Sequence, residues 1–221
     1  MNAPYAPHPS EAPRPARPQA TPIAPVAASD EDRARAEHYA LIARLFVGAP
    51  DAALLGALAD AGRVLGTGEA PFARAWAALA QAARGTDAGA VNAEYEALFH
   101  GIGRPEVMLY GSFYLAGFLM EEPLADLRDD LAALGLARRG GVAETEDHVA
   151  ALAEVMRHLV SVGPDAAGVA RQRAFFARHL QPWYGRLADA LAAAPRADFY
   201  VRVGDLARAF FDIESEAFAM E

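Results

Sequence analysis

The sequence predicts an all-α fold, and three observations carry the prediction. Alanine and leucine are abundant while β-branched residues are sparse. No stretch alternates apolar and polar residues with period two for long, whereas apolar residues recur at helical spacing in one segment after another. Those segments are bracketed by helix punctuation, with Ser, Asp or Pro at their heads and Gly or Pro just past their ends.

Residues 1–28 stand apart. They hold eight of the fifteen prolines, interleaved with alanine in "APRPARPQATPIAPVAA", a composition that buries too little surface to offset the entropy of ordering. A disordered tail is expected there, with a single helical domain over 29–221. The tail has neither a continuous apolar stretch nor paired arginines, so neither a secretory nor a twin-arginine signal is expected in it.

The first helix, 30–47, opens on Ser29 with Asp32 at the third helical position, a variant of the capping box, and closes on Gly48 and Pro50. Further helices are expected at 51–61, 71–84, 88–100, 112–120, 123–134, 146–161, 165–180, 183–193 and 198–218, about ten in all. Asp51, Pro71, Pro123 and Asp165 head four of them. In the last, Tyr200, Val203, Leu206, Phe210, Ile213 and Phe218 fall near one face, while Arg202, Asp205, Arg208, Asp212 and Glu216 take the other. The linker "GLARRGGVAET" is glycine-rich, and its 135–141 portion is a candidate hinge through which two chains could exchange helices.

Composition excludes several function classes. The chain of 221 residues is 53% hydrophobic and 22% charged, with a mean hydropathy of +0.06, values of a globular protein rather than a polytopic membrane protein. It contains no cysteine, which removes thiolate nucleophiles, iron–sulfur clusters and cysteine-based zinc sites. All 20 basic residues are arginine, so a phosphate-loop lysine and a pyridoxal Schiff base are also excluded. The formal charge is −9; the first 28 residues contribute +1 (Glu11, Arg14, Arg17), which leaves −10 for the remainder. Such a body repels phosphate backbones and attracts cationic partners.

Enzyme signatures fail one by one. "GIGRPE" has Glu106 where a dinucleotide fingerprint needs its last glycine, and no strand precedes it. Ser112 in "YGSFY" lacks the setting of a nucleophile elbow. A di-iron bundle wants Glu-x-x-His, yet none of the six histidines has a glutamate three residues before it.

Two stretches remain informative. "ETEDHVAALAEVM" sets Glu144, Glu146, Asp147 and His148 at the front of an apolar run. The acids suit a helix start through the helix dipole, at about 0.3–1 kcal/mol each. His148 begins the stripe His148, Leu152, Val155, Leu159, and is expected as a neutral ring at the rim of the core, hydrogen-bonded by a carboxylate or main chain. Upstream, "EYEALFHGIGRPEVMLYGSFYLAGFLM" ends one helix near His100, passes through a loop with Gly101, Gly103 and Pro105, and enters a very apolar helix with Tyr110, Tyr114 and Phe118 on one face. That element is either buried in the core or the wall of a groove.

Taken together these stretches resemble the TorD/DmsD/NarJ family of cytoplasmic molybdoenzyme maturation chaperones. The matching residues are Tyr95, Leu98, Phe99 and Gly101 in "YEALFHG", Tyr110, Ser112 and Tyr114 in "YGSFY", and the Asp147-His148 pair ahead of an apolar helix. The chain lacks the proline that the family usually places before that pair, having Glu144-Thr145-Glu146 instead. The resemblance implies a TorD-like helical bundle without a cofactor or catalytic role, located in the cytoplasm. It implies that the chain binds the twin-arginine leader or the apo form of a molybdenum-cofactor oxidoreductase, such as a formate dehydrogenase or a reductase of the DMSO/TMAO type, delaying export while the cofactor is inserted. Such a leader joins two guanidinium groups to an apolar run, so its receptor needs carboxylates beside a hydrophobic groove. The expected binding residues are Tyr110, Ser112, Tyr114, Phe118, Glu144, Glu146, Asp147 and His148, in a groove between the Tyr110–Met120 segment and the Asp147-His148 helix start. The alternatives are a metal-assisted hydrolase using Glu144, Asp147 and His148, and a helical adaptor for some other amphipathic segment.

Overall fold

The computed structural model describes residues 28–101, 104–119, 121–138 and 144–220. The tail expected over 1–28, apart from Ala28, together with Gly103, Met120 and the later part of the 135–141 hinge, lies outside the described residues.

Among the described residues ten helices form where helical periodicity and punctuation coincide: α1 (Asp30–Val47), α2 (Ala52–Leu65), α3 (Pro71–Arg84), α4 (Ala88–Phe99), α5 (Gly111–Ala116), α6 (Glu122–Ala133), α7 (Val149–Val162), α8 (Ala166–His179), α9 (Tyr184–Ala193) and α10 (Phe199–Met220). No strand occurs among the described residues beyond an isolated antiparallel bridge between Tyr110 and His148. The Ser29 capping box is complete: the Asp32 N–H donates to Ser29 Oγ at 3.0 Å and the Ser29 N–H to Asp32 Oδ2 at 3.1 Å. Asp51, Asp87 and Asp165 cap α2, α4 and α8 with the side chain alone, accepting from the N–H groups of Leu54, Ala90 and Gly168.

Most expected ends shift by one or two residues and α2 runs on to Leu65, past the expected 61, but two differences bear on the site. The segment expected as helical over 112–120 stops at Ala116, because Gly117 adopts a left-handed φ of 85° and its N–H closes on Phe113 O. The helix expected from 146 begins only at Val149, since His148 is extended and its neighbours Asp147 and Val149 hydrogen-bond across to Gly111 and Leu109.

α1 packs along α7, α2 pairs with α3, and α10 lies against α3 and α9 while also touching α1, α4 and α8. At 22 residues α10 is about 33 Å long, enough to tie both ends of the bundle together. The shared core is aromatic-rich, with Tyr39, Phe46, Trp76, Phe176, Trp183, Tyr200 and Phe211 all buried. On α10 the expected stripe is buried except for Ile213, which is half exposed, and the helix also buries a carboxylate, Glu214, that periodicity gave no sign of.

Glu214 is paired rather than stranded. Arg35 on α1 grips it with Nε and Nη2, each at 2.8 Å, and the Tyr39 hydroxyl donates to it at 2.8 Å. Gln172 on α8 accepts from the same guanidinium at 3.1 Å and donates to Gly163 O at 2.9 Å. Burial opposes the Arg35 charge, but the hydrogen bonds and charge of Glu214 outweigh it and hold that guanidinium above its ordinary pKa. The network fixes the register of α1, α8 and α10. α10 is held again at its other end, where Glu94 of α4 accepts from the N–H groups of Asp198, Phe199 and Tyr200 at 2.9, 3.1 and 2.8 Å, a cap supplied from a distant helix.

Candidate functional site

α4 ends at Phe99 with His100 as its C-cap, and the chain returns past Pro105 in a non-helical run, Val107–Tyr110, that is extended at Tyr110 before α5. The segment 144–148 lies beside that run: the Gly111 N–H donates to Asp147 O at 2.9 Å and the Val149 N–H to Leu109 O at 2.8 Å. Between this pair, the exposed side of α4 and the end of α1 opens a cleft of about 320 Å³. Its walls include Val47, Tyr95, Phe99, Met108 and Tyr110, and acids enter from both sides, Glu96 from α4 and Glu144 from the 144–148 segment. His148 completes the lining, and its ring meets that of Tyr110 edge-on at 5.1 Å.

Asp147 is only 3% exposed, and its carboxylate is spent on construction. Its Oδ2 accepts from the Ser112 N–H at 2.9 Å and the Ser112 hydroxyl at 2.5 Å, and its Oδ1 from Thr145 Oγ1 at 2.6 Å. Tyr110, at the N-cap of α5, offers no side-chain cap of its own, so Asp147 caps that helix across a gap of 35 residues. His148 caps α7 in turn, its Nδ1 accepting from the Ala150 N–H at 3.1 Å. Burial, against the weaker opposing pull of Glu144 and Asp147, lowers its pKa to about 4, so the ring is neutral at physiological pH. The expectation of a neutral rim histidine bonded to main chain is met.

The three acids of the 144–147 stretch differ in what they have left to offer. Glu146 is held by Arg128 at 2.9 Å and Arg138 at 3.6 Å. Slight burial opposes its charge, but the two arginines hold its pKa below the usual carboxylate value. Glu144 accepts a short hydrogen bond from the Tyr110 hydroxyl and has no ion-pair partner among the described residues. Burial and then that hydrogen bond raise the Tyr110 pKa well above its ordinary value, which keeps the phenol protonated and donating.

The structure brings Tyr110, Glu144 and His148 together in the cleft and places Ser112 and Asp147 directly behind it. Tyr114 points the other way: it is buried, stacks on Trp183 at 5.4 Å and donates to Met108 O at 2.8 Å. Gly111 permits that packing, since a Cβ there would come within 3.0 Å of the Trp183 ring. Phe118 lies past the end of α5, 71% exposed, on the same stretch as exposed Leu115 and Leu119 and apart from the cleft lining. Among the motif residues, Tyr95 and Phe99 form cleft wall, Leu98 is core, Pro105 lines the mouth, and Gly101 sits at the exit from α4. Sequence reasoning passed over Glu96 and Val47, although Glu96 is the second residue of "YEALFHG".

No group of three or more histidine, aspartate or glutamate side chains spaced to hold a metal ion occurs among the described residues. Glu144, Asp147 and His148, the trio of the hydrolase alternative, are instead divided between cleft wall and helix caps. No described helix is long and apolar enough to cross a membrane.

A family model described as nitrate reductase delta subunit matches residues 67–189, more than half of the chain. The chain belongs to the nitrate reductase delta subunit family. That family, of the NarJ/TorD type, comprises molybdoenzyme maturation chaperones, so the resemblance read from the motifs is met. The family match includes α4, the 107–110 run, α5 and the 144–148 segment, and hence both long walls of the cleft. A comparison with curated proteins finds no match.

Proposed function

We propose that this chain is a cytoplasmic, non-catalytic chaperone that receives the twin-arginine leader of a molybdenum-cofactor oxidoreductase in the cleft between α4 and the paired 107–110 and 144–148 segments. The observation that carries the reading is an aromatic-walled cleft of mixed apolar and polar lining whose edge bears an acid without a cationic partner among the described residues, Glu144, in a chain of this family. A leader that joins guanidinium groups to an apolar run is complementary to both features.

Energetics assign the work. Micromolar affinity corresponds to about 8 kcal/mol, and association costs at least about 4 kcal/mol more, so the gross interaction must reach roughly 12 kcal/mol. Partly exposed ion pairs supply only about 0–1 kcal/mol each. At about 25 cal/mol per Å² the leader's apolar run must therefore bury roughly 400–500 Å². The exposed parts of Met108 and Tyr110, with the edges of the buried Tyr95 and Phe99 rings, supply only part of that surface, so the run must also extend out of the cleft over apolar side chains such as Val47, 60% exposed at its edge. The acids then select register and reject leaders without arginine. Asp147, Ser112 and Glu146 act by holding the 144–148 wall, while Tyr114 anchors α5 to the core.

Calorimetric titration with a synthetic peptide of two adjacent arginines followed by an alanine/leucine run tests this. Tyr110→Ala is expected to weaken binding at least tenfold and Glu144→Gln about threefold to fivefold; unchanged affinity in both variants removes the cleft from the function.

A further inference from the structure

The leader has two arginines, and Glu144 is one acid. The cleft holds a second carboxylate, Glu96, on the opposite wall. Its neighbours in the fold show why it stands out. Glu94, one turn-fraction earlier on α4, is consumed in capping α10. Glu106 pairs with Arg196, and Glu146 with Arg128 and Arg138. Glu96 is exposed, and neither a hydrogen bond nor an ion pair engages its side chain among the described residues.

Tyr95, next to Glu96 in the chain, lines the same cleft with the small exposed part of its ring, and its hydroxyl donates to Phe46 O at 3.2 Å. Burial raises its pKa to about 12, with the charges of Glu144 and Glu96 both adding to the rise. Two negative fields thus meet over one aromatic wall. A planar guanidinium is suited to such a place, because it can lie on the aromatic surface while its edge donates to a carboxylate.

We propose that the cleft contains two separate arginine seats, Glu144 with Tyr110 on one wall and Glu96 on the other, each taking one guanidinium of the leader's adjacent pair. This rests on the leader-binding reading and adds to it a specificity residue, Glu96, and a reason for the pair: one arginine would leave one acid unmatched, while two close the cleft's mouth from both sides.

A double-mutant cycle by calorimetry tests the assignment. The probes are four synthetic peptides with the same alanine/leucine run and the heads Arg-Arg, Arg-Gln, Gln-Arg and Gln-Gln, titrated into the full chain and into Glu96→Gln, Glu144→Gln and, as a control, Glu37→Gln, an exposed acid of α1 outside the cleft lining. Glu96→Gln replaces an exposed side chain with one of the same shape, and a circular-dichroism melt checks that the fold is retained. Against wild type each single Arg-to-Gln head is expected to lose about threefold to fivefold, the size of a partly screened pair. In Glu96→Gln one of the two single-head losses vanishes and the other persists; in Glu144→Gln the pattern is reversed. Glu37→Gln retains both losses. If the peptides bind with the expected dependence on Tyr110 and Glu144 but Glu96→Gln leaves both losses intact, the second seat is refuted and the leader reading stands. If no peptide binds wild type, the leader reading is refuted and this inference with it.

Discussion

Asp147 offers the sharpest test of how the site is built, because its carboxylate serves a helix it does not belong to. Asp147→Ala deletes the acceptor for the Ser112 N–H at 2.9 Å, the Ser112 hydroxyl at 2.5 Å and the Thr145 hydroxyl at 2.6 Å, at a position 3% exposed. Loss of a cap costs about 1–2 kcal/mol, and each buried donor left unpaired adds about 1–3 kcal/mol unless it finds water. Thr145 is half buried and can be rehydrated, and the Ser112 hydroxyl can rotate, so the sum is about 3 kcal/mol. For a domain of this size that corresponds to a fall of roughly 6–12 °C in Tm. Urea denaturation at pH 7, read by far-ultraviolet circular dichroism, measures it as a shift in midpoint at constant slope. Asp147→Asn keeps one acceptor oxygen and should lose only about 1–2 kcal/mol, separating the hydrogen bonds from side-chain volume. A loss below about 0.5 kcal/mol in Asp147→Ala refutes the capping argument, since surface substitutions without structural duty fall within that range.

Three further outcomes follow from the same reasoning. The His148 pKa lies near 4 when folded against about 6.5 unfolded, so the unfolded chain binds the extra proton first. Stability should therefore decline as pH falls from about 6.5 to 4 and then level off, by at most about 3 kcal/mol, and His148→Asn should flatten that part of a pH series of urea melts. Glu214→Ala strands the Arg35 guanidinium and the Tyr39 hydroxyl and should cost about 3–5 kcal/mol, whereas Arg35→Met with Glu214→Leu should cost markedly less; equal losses in the two proteins contradict the account of a paired buried charge. Glu94→Ala releases three N–H groups at the start of α10 and should cost about 1–2 kcal/mol, with faster amide exchange at Phe199 and Tyr200; unchanged exchange there removes Glu94 as the cap.

The helices were legible because their signals are local. Ser29 with Asp32, Asp51, Pro71 and Asp165 act within one turn, and the structure obeys each of them, whereas Gly117, which ends α5, was read as helix interior. His148 was legible for a similar reason: its stripe and its place at a helix start dictate a neutral, main-chain-bonded ring. What sequence spacing could not give is the choice of long-range partner. Asp147 reads as a first-turn acid until its Ser112 contact across 35 residues is known. Tyr114 shares a helical face with Tyr110 on paper, but the helix ends at Ala116 and Trp183 draws Tyr114 inward. Glu94, Glu96 and Glu214 show the same limit: one caps a distant helix, one faces a cleft, and one is buried against Arg35, with nothing in their immediate neighbours to distinguish them.

The central claim is that apolar burial binds the leader while acids choose its register, and the heat-capacity change of binding addresses it most directly. Titrating the Arg-Arg peptide at several temperatures should give a clearly negative ΔCp. Replacing its alanine/leucine run with serine and glutamine should abolish binding, while the Gln-Gln head should weaken it by no more than about thirtyfold. A ΔCp near zero, with affinity that survives loss of the apolar run but collapses with the arginines, contradicts the account.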